Sequence, residues 1–160
     1  MKTIITKNID ETRAFARDFA HILNAPVTVA LHGDLGVGKS EIARTIIQTL
    51  CGENTVVPSP TFTLVQTYVS GDKKISHFDL YRISDVAELV EIGLDYAIQN
   101  DITLIEWPDI AAHMLPDNTI HIDISEYDQG RKIIIRYIFQ VVKAVKPPME
   151  NRAQMQGKNH

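Results

Sequence analysis

The chain has 160 residues, enough for one domain with a full core, and its 44% hydrophobic and 22% charged composition is that of a soluble globular protein. A net charge of -4 argues against tight, autonomous, non-specific nucleic-acid binding, which needs a basic face, though not against contact with RNA inside a larger complex. The single cysteine, Cys51, cannot form an internal disulfide and reads as a packed residue at a helix end. The start of the chain lacks the apolar core of a secretory signal, and no apolar run is long enough to cross a bilayer. These features fit a protein of a reducing cytoplasm, with no membrane contact.

In chain order, Thr3-Ile4-Ile5 is a short strand candidate. Asn8 and Glu11 have capping-box spacing, and Phe15, Phe19, Ile22 and Leu23 recur at helical period. A helix is expected from about Asp10 to Asn24, closed by Pro26. Val27-Thr28-Val29-Ala30-Leu31 reads as a buried strand. Gly33-Asp34-Leu35-Gly36-Val37-Gly38-Lys39-Ser40 follows, and it fits G-x-x-x-x-G-K-[ST], the phosphate-binding loop. Glu41 to Leu50 then reads as a helix that Gly52 stops. Strand, glycine loop and helix form the context in which this motif carries chemistry. Gly36 and Gly38 open backbone angles that let main-chain N–H groups approach phosphate. Those donors and the helix N-terminus form an anion nest. Lys39 offers charge to the β- and γ-phosphates, and Ser40 a hydroxyl to Mg²⁺.

Val56-Val57-Pro58-Ser59-Pro60-Thr61-Phe62-Thr63 reads as a stiff, exposed connection. Leu64–Val69 and Ile75–Leu80 read as strands of a hairpin with a longer loop through Gly71-Asp72-Lys73-Lys74. Ser84 opens a helical pattern through Ile92, Gly93 interrupts it, and Leu94 to Ile98 suggest a second short helix. Ile102-Thr103-Leu104-Ile105 is a buried strand ending at Glu106-Trp107-Pro108, and Pro108 suits the first turn of a helix through Met114. Thr119–Ile124 alternates as a half-wet strand, Asp128-Gln129-Gly130 turns, and Arg131–Ile138 is a last strand that Phe139 to Val145 either continue or leave as helix. The expected organisation is one domain over 1–145 and a flexible, polar tail over 146–160. Strands alternating with helices around a phosphate loop imply an α/β fold of three layers, the P-loop NTPase type, with a mainly parallel central sheet and antiparallel additions.

A phosphate loop needs a carboxylate on a neighbouring strand to help hold Mg²⁺ and order water. Asp79 and Glu106 both end apolar strands. Glu106 looks more like the usual metal-side acid and Asp79 like the water-orienting one, but spacing alone leaves the reverse assignment open. Thr61 either contacts Mg²⁺ or the γ-phosphate, sensing which nucleotide is bound, or bonds its own turn. Trp107 walls the nucleotide pocket, faces a partner or packs in the core. His77 and His32 read as structural. Arg82 reads as a phosphate contact, a partner contact or half of a surface ion pair.

Four blocks in series resemble one family. They are His32 to Ser40, Ser59-Pro60-Thr61-Phe62-Thr63-Leu64-Val65, His77-Phe78-Asp79-Leu80-Tyr81-Arg82 and Ile105-Glu106-Trp107-Pro108. They resemble the successive signatures of the TsaE (YjeE) ATPases, from about Thr3 to Ile138. Ser40 stands where that family more often has threonine, with the same hydroxyl. The resemblance implies a bacterial ATPase, with ATP and Mg²⁺ as cofactors, needed to make N6-threonylcarbamoyladenosine in tRNA. Its partners would be TsaB and TsaD, which it resets between turnovers, with tRNA met only through that complex. The resemblance also implies Glu106 and Ser40 as Mg²⁺ ligands, Asp79 as important for hydrolysis, Thr61 in a switch segment and Trp107 near the site. Two other readings of the loop are a small-molecule kinase and a guanine-nucleotide switch. The arginines show no lid-like cluster, and the Asn-Lys-x-Asp guanine reader is missing from the sequence.

Overall fold

A computed structural model describes residues 1–137. The expectations for Phe139 to Val145 and for the tail over 146–160 fall outside those residues. Strand β1 (Lys2–Thr6) leads to helix α1 (Ile9–Ala20). Asn8 caps α1 by accepting from the Glu11 N–H at 2.9 Å. The Glu11 carboxylate reaches back to the Lys7 N–H at 2.7 Å, one residue upstream of an ideal capping box. The helix stops at Ala20, four residues short of the expected end. Ile22 and Leu23 then bond three residues back, to Phe19 and Ala20, in a tightened last turn that still buries Leu23.

Strand β2 (Val27–His32) feeds the glycine loop, and α2 (Lys39–Cys51) begins directly at its lysine. Strands β3 (Val65–Ser70) and β4 (Lys73–Asp79) form the expected hairpin, but its loop is only Gly71-Asp72. Lys73 and Lys74 pair with Ser70 and Val69 rather than forming the turn, and Gly71 at φ +61° supplies the bend a tight hairpin requires. Two short helices follow, α3 (Ala87–Glu91) and α4 (Leu94–Asn100). The first starts later than Ser84, after a turn in which the Asp85 carboxylate accepts from the Ala87 N–H at 2.9 Å. Strand β5 (Ile102–Glu106) precedes a 3₁₀ segment, Pro108–Met114, where an α-helix was expected. Strands β6 (Ile120–Tyr127) and β7 (Gly130–Arg136) close the described chain.

The seven strands form one sheet in the order β1-β7-β6-β2-β5-β4-β3. Strands β6, β2, β5 and β4 run parallel, while β7, β1 and β3 join antiparallel at the flanks. Side-chain alternation sends Val29, Leu31, Ile75, Ile102, Leu104 and Ile122 to one face, where they pack with Phe15 and Phe19 of α1 and Ile42 and Ile46 of α2. The opposite parity sends Phe78 and Ile105 to a second core with Leu89, Leu94, Ala97 and Ala111. The α/β fold of three layers, read from the order of elements, is the one observed.

This layering positions the site. The parallel strands end on one edge, where β2 turns into the glycine loop and where Asp79 and Glu106 sit side by side in register. By parity both carboxylates share the face of Ile75 and Leu104, directly beneath the start of α2. No helix among the described residues is long and apolar enough to cross a membrane.

Candidate active site

Gly33 opens the loop at φ +149°, and a Cβ there would lie 2.6 Å from the Ile124 carbonyl oxygen and 2.7 Å from Val37 Cγ1. Glycine is needed at this position for space as well as for backbone angle. Gly36 and Gly38, at φ +77° and +124°, have nothing within 4 Å of a Cβ, so there the need is conformational. From β7, the Arg131 guanidinium braces the loop by donating to the Val37 carbonyl while also holding that of Gly130.

The Lys39 ammonium folds back over the loop. It donates to the carbonyls of Gly33 and Asp34, the latter at 2.8 Å, and lies 4.0 Å above the Trp107 ring. Burial lowers its pKa below the ordinary lysine value, against the opposing pull of Glu106, Asp79 and Asp34. Trp107 reaches this place through a left-handed backbone, φ 55°, at the junction between β5 and Pro108. Its ring also meets Tyr81, with centroids 4.8 Å apart.

Glu106 is 2% exposed, and each of its oxygens has a donor: Ser40 Oγ donates to Oε1 at 2.7 Å, and His77 Nε2 lies 2.7 Å from Oε2. Asp79 serves different neighbours. Its Oδ1 accepts from the Tyr81 N–H at 3.0 Å and its Oδ2 from Thr61 Oγ1 at 3.2 Å. Thr61 is itself bonded to Ser59 Oγ at 2.8 Å. The stretch around it is turned rather than extended, with the Leu64 N–H on the Pro60 carbonyl and Leu64 at φ 67°. Phe62 stays 79% exposed, beneath the Arg82 guanidinium.

A cavity of about 250 Å³ is lined by Leu35, Gly36, Gly38, Lys39, Ser40 and Glu41 of the loop and α2, with Arg44, Thr61, Asp79, Glu106 and Trp107 facing them. A second cavity, of about 320 Å³, adjoins the loop at Gly36 and Gly38 and runs between Asn8, Ile9 and Thr12 at the start of α1 and Gln129, Gly130 and Arg131 at the start of β7. The structure thus brings Thr61, Asp79, Glu106 and Trp107 to one hollow with Lys39 and Ser40. Arg82 lies outside that lining, against Phe62. His32 hydrogen-bonds His121, Nε2 to Nδ1 at 2.9 Å, on the neighbouring strand.

Sequence reasoning missed His77, Arg44 and Arg131 as participants. His77 was read as structural, yet it holds the site glutamate. Arg44 lines the phosphate cavity and is tied to Glu41 at 2.8 Å, which also holds Arg13. Arg131 braces the loop from 94 residues away. Only the helical spacing of Glu41 and Arg44 was readable beforehand, while the other contacts depend on sheet order.

The oxygen set has the chemistry of a hard divalent cation such as Mg²⁺, which takes one or two protein oxygens and completes its shell with phosphate and water. Ser40 and Glu106 meet that description, and no group of three or more His, Cys, Asp or Glu able to cage a metal occurs among the described residues.

Glycine loop, parallel strand edge and paired strand-end carboxylates define the class: a P-loop NTPase fold. Residues 6–133 match the family described as threonylcarbamoyl adenosine biosynthesis protein TsaE, and the chain belongs to that family. It is 43% identical over 129 residues to the tRNA threonylcarbamoyladenosine biosynthesis protein TsaE of Rickettsia bellii, covering 81% of this chain and 90% of that protein. The protein of the same name from Haemophilus influenzae is 41% identical over 125 residues, 74% of this chain and 78% of its own. The crystal structure of Bacillus subtilis YdiB superposes with a TM-score of 0.65 at 28% identity, covering 96% of this chain and 89% of that one.

Proposed function

We propose that this chain is a slow, Mg²⁺-dependent ATPase that serves tRNA N6-threonylcarbamoyladenosine synthesis by resetting a TsaB–TsaD complex between turnovers. The observation that carries the reading is the convergence of Lys39, the Ser40–Glu106 pair and the Thr61–Asp79 pair on one cavity of about 250 Å³. The loop N–H groups and Lys39 bind the phosphate chain once the ammonium leaves the carbonyls it now holds. Ser40 and Glu106 would hold Mg²⁺, which would supply positive charge against the negative charge of the phosphates. Asp79 orients the attacking water, and Thr61, bonded to it, reports whether a γ-phosphate is present. Trp107 closes the wall beside Lys39. The nucleoside extends past Gly36 and Gly38 into the cavity between α1 and β7, where Asn8, Thr12 and Gln129 offer polar groups.

Slow turnover follows from the arginines around the site, which are already engaged: Arg44 with Glu41, Arg82 with Phe62 and Arg131 with the loop itself. An arginine supplied to the transferring phosphate is worth roughly 10³–10⁵ in rate. The test is reconstitution of tRNA modification with TsaB and TsaD, with and without this protein. Sustained turnover only in its presence, together with an ATPase rate that rises with the partners, is the expected result. Modification that continues unchanged without it, or an ATPase indifferent to both partners, contradicts the proposal.

A further inference from the structure

His77 and Glu106 lie on adjacent parallel strands and point to the same face, beneath α2. Both are almost wholly buried, at 1% and 2% exposure. His77 Nε2 is 2.7 Å from Glu106 Oε2, while the other ring nitrogen, Nδ1, is buried with no partner. That asymmetry assigns the hydrogen. A hydrogen on Nδ1 would be a buried donor with no acceptor, and would leave Nε2 and the carboxylate oxygen facing each other as two acceptors. A hydrogen on Nε2 satisfies the contact and leaves only an unused lone pair. Ser40 Oγ occupies the opposite oxygen, Oε1. The carboxylate is therefore held at both ends, with its hydroxyl partner on the cavity side and its imidazole partner in the core.

We propose that His77 is a positioning residue, which by donating from Nε2 fixes the Glu106 carboxylate in the orientation that presents Oε1 and the Ser40 hydroxyl to a divalent cation. This rests on the reading that Ser40 and Glu106 hold Mg²⁺. Outer partners of metal-binding groups orient them, and their loss typically costs about 10–100-fold in metal affinity. A purely structural histidine would instead act on stability alone.

The experiment compares His77→Gln with His77→Met, side chains of similar length of which only glutamine keeps a terminal donor. Binding of a fluorescent ADP analogue is followed while Mg²⁺ is titrated, and again in chelator. His77→Met is expected to raise the Mg²⁺ concentration for half-maximal effect by about tenfold or more, with metal-free binding unchanged. His77→Gln is expected to stay within about threefold of the wild type. Equal behaviour of the two variants overturns the positioning role. A wild type that binds the analogue without any response to Mg²⁺ overturns the metal reading beneath it, a separate and recognisable failure. Independently of any variant, the imidazole ¹⁵N shifts of the wild type must report hydrogen on Nε2 of His77; hydrogen on Nδ1 contradicts the assignment.

Discussion

The glycine loop and the Ser59–Leu64 stretch face each other across the same cavity but are held in opposite ways. The loop is anchored from several sides. Gly33 fits against Ile124 with no room for a methyl, Arg131 holds the Val37 carbonyl, and the Val37 N–H bonds the Asp34 carbonyl. The facing stretch has lighter attachments. Thr61 meets Asp79 through one hydrogen bond at 3.2 Å, Phe62 and Thr63 are exposed, and Leu64 sits at a positive φ. A backbone held by many contacts binds phosphate without rearranging, whereas one held by few can change place when a ligand adds or removes a contact. On this difference the proposed function divides: the loop would grip every nucleotide alike, and the Thr61 stretch would tell one from another.

The strongest way to break the comparison is at the grip. Lys39→Ala should reduce ATP and ADP binding together by at least about a hundredfold, the scale of losing a charged donor in a water-poor site. Calorimetric titration of both nucleotides checks this, and a loss confined to ATP would mean that the lysine belongs to the sensing half. Next is Asp79→Asn, expected to slow hydrolysis by about a hundredfold or more while ATP affinity changes only a few-fold. Single-turnover hydrolysis at saturating ATP separates the two effects. Thr61→Val is smaller. It removes a hydroxyl that donates to the Asp79 carboxylate, about 1.5 kcal/mol or roughly tenfold for a bond to a charged group, and should weaken ATP without touching ADP.

The smallest effect is on stability and concerns the pair of histidines at the end of β2 and on β6. Burial lowers the pKa of His32 and of His121 below the free value of 6.5. The unfolded chain therefore takes up protons before the folded one as pH falls. Stability should be level above about pH 6.5 and decline below it, until the folded-state values are passed. Urea midpoints at pH 7.5 and pH 5 measure the decline, and His121→Gln should flatten it.

Most of the fold was legible because its strands are short apolar runs punctuated by glycine and proline, and the loop motif fixed the hand-over from β2 to α2. The misjudged hairpin has a local cause. The hairpin loop shrank because Lys73 and Lys74 pair with Ser70 and Val69, extending β4 beyond its register with β5. The site was legible as a list of residues but not as a set of pairs. That Ser40 meets Glu106 while Thr61 meets Asp79 follows from β5 lying between β2 and β4, and sheet order is not written in the spacing of residues. The same order hid His77, whose role depends on a neighbour 29 residues away.

The division between a fixed grip and a responsive facing stretch is tested most directly by hydrogen exchange with Mg²⁺ and either ADP or a non-hydrolysable ATP analogue. Amides of Gly33–Ser40 should gain the same protection from both nucleotides, while those of Thr61–Leu64 should gain it from the triphosphate alone. Equal protection of Thr61–Leu64 by ADP and by the ATP analogue would contradict the account.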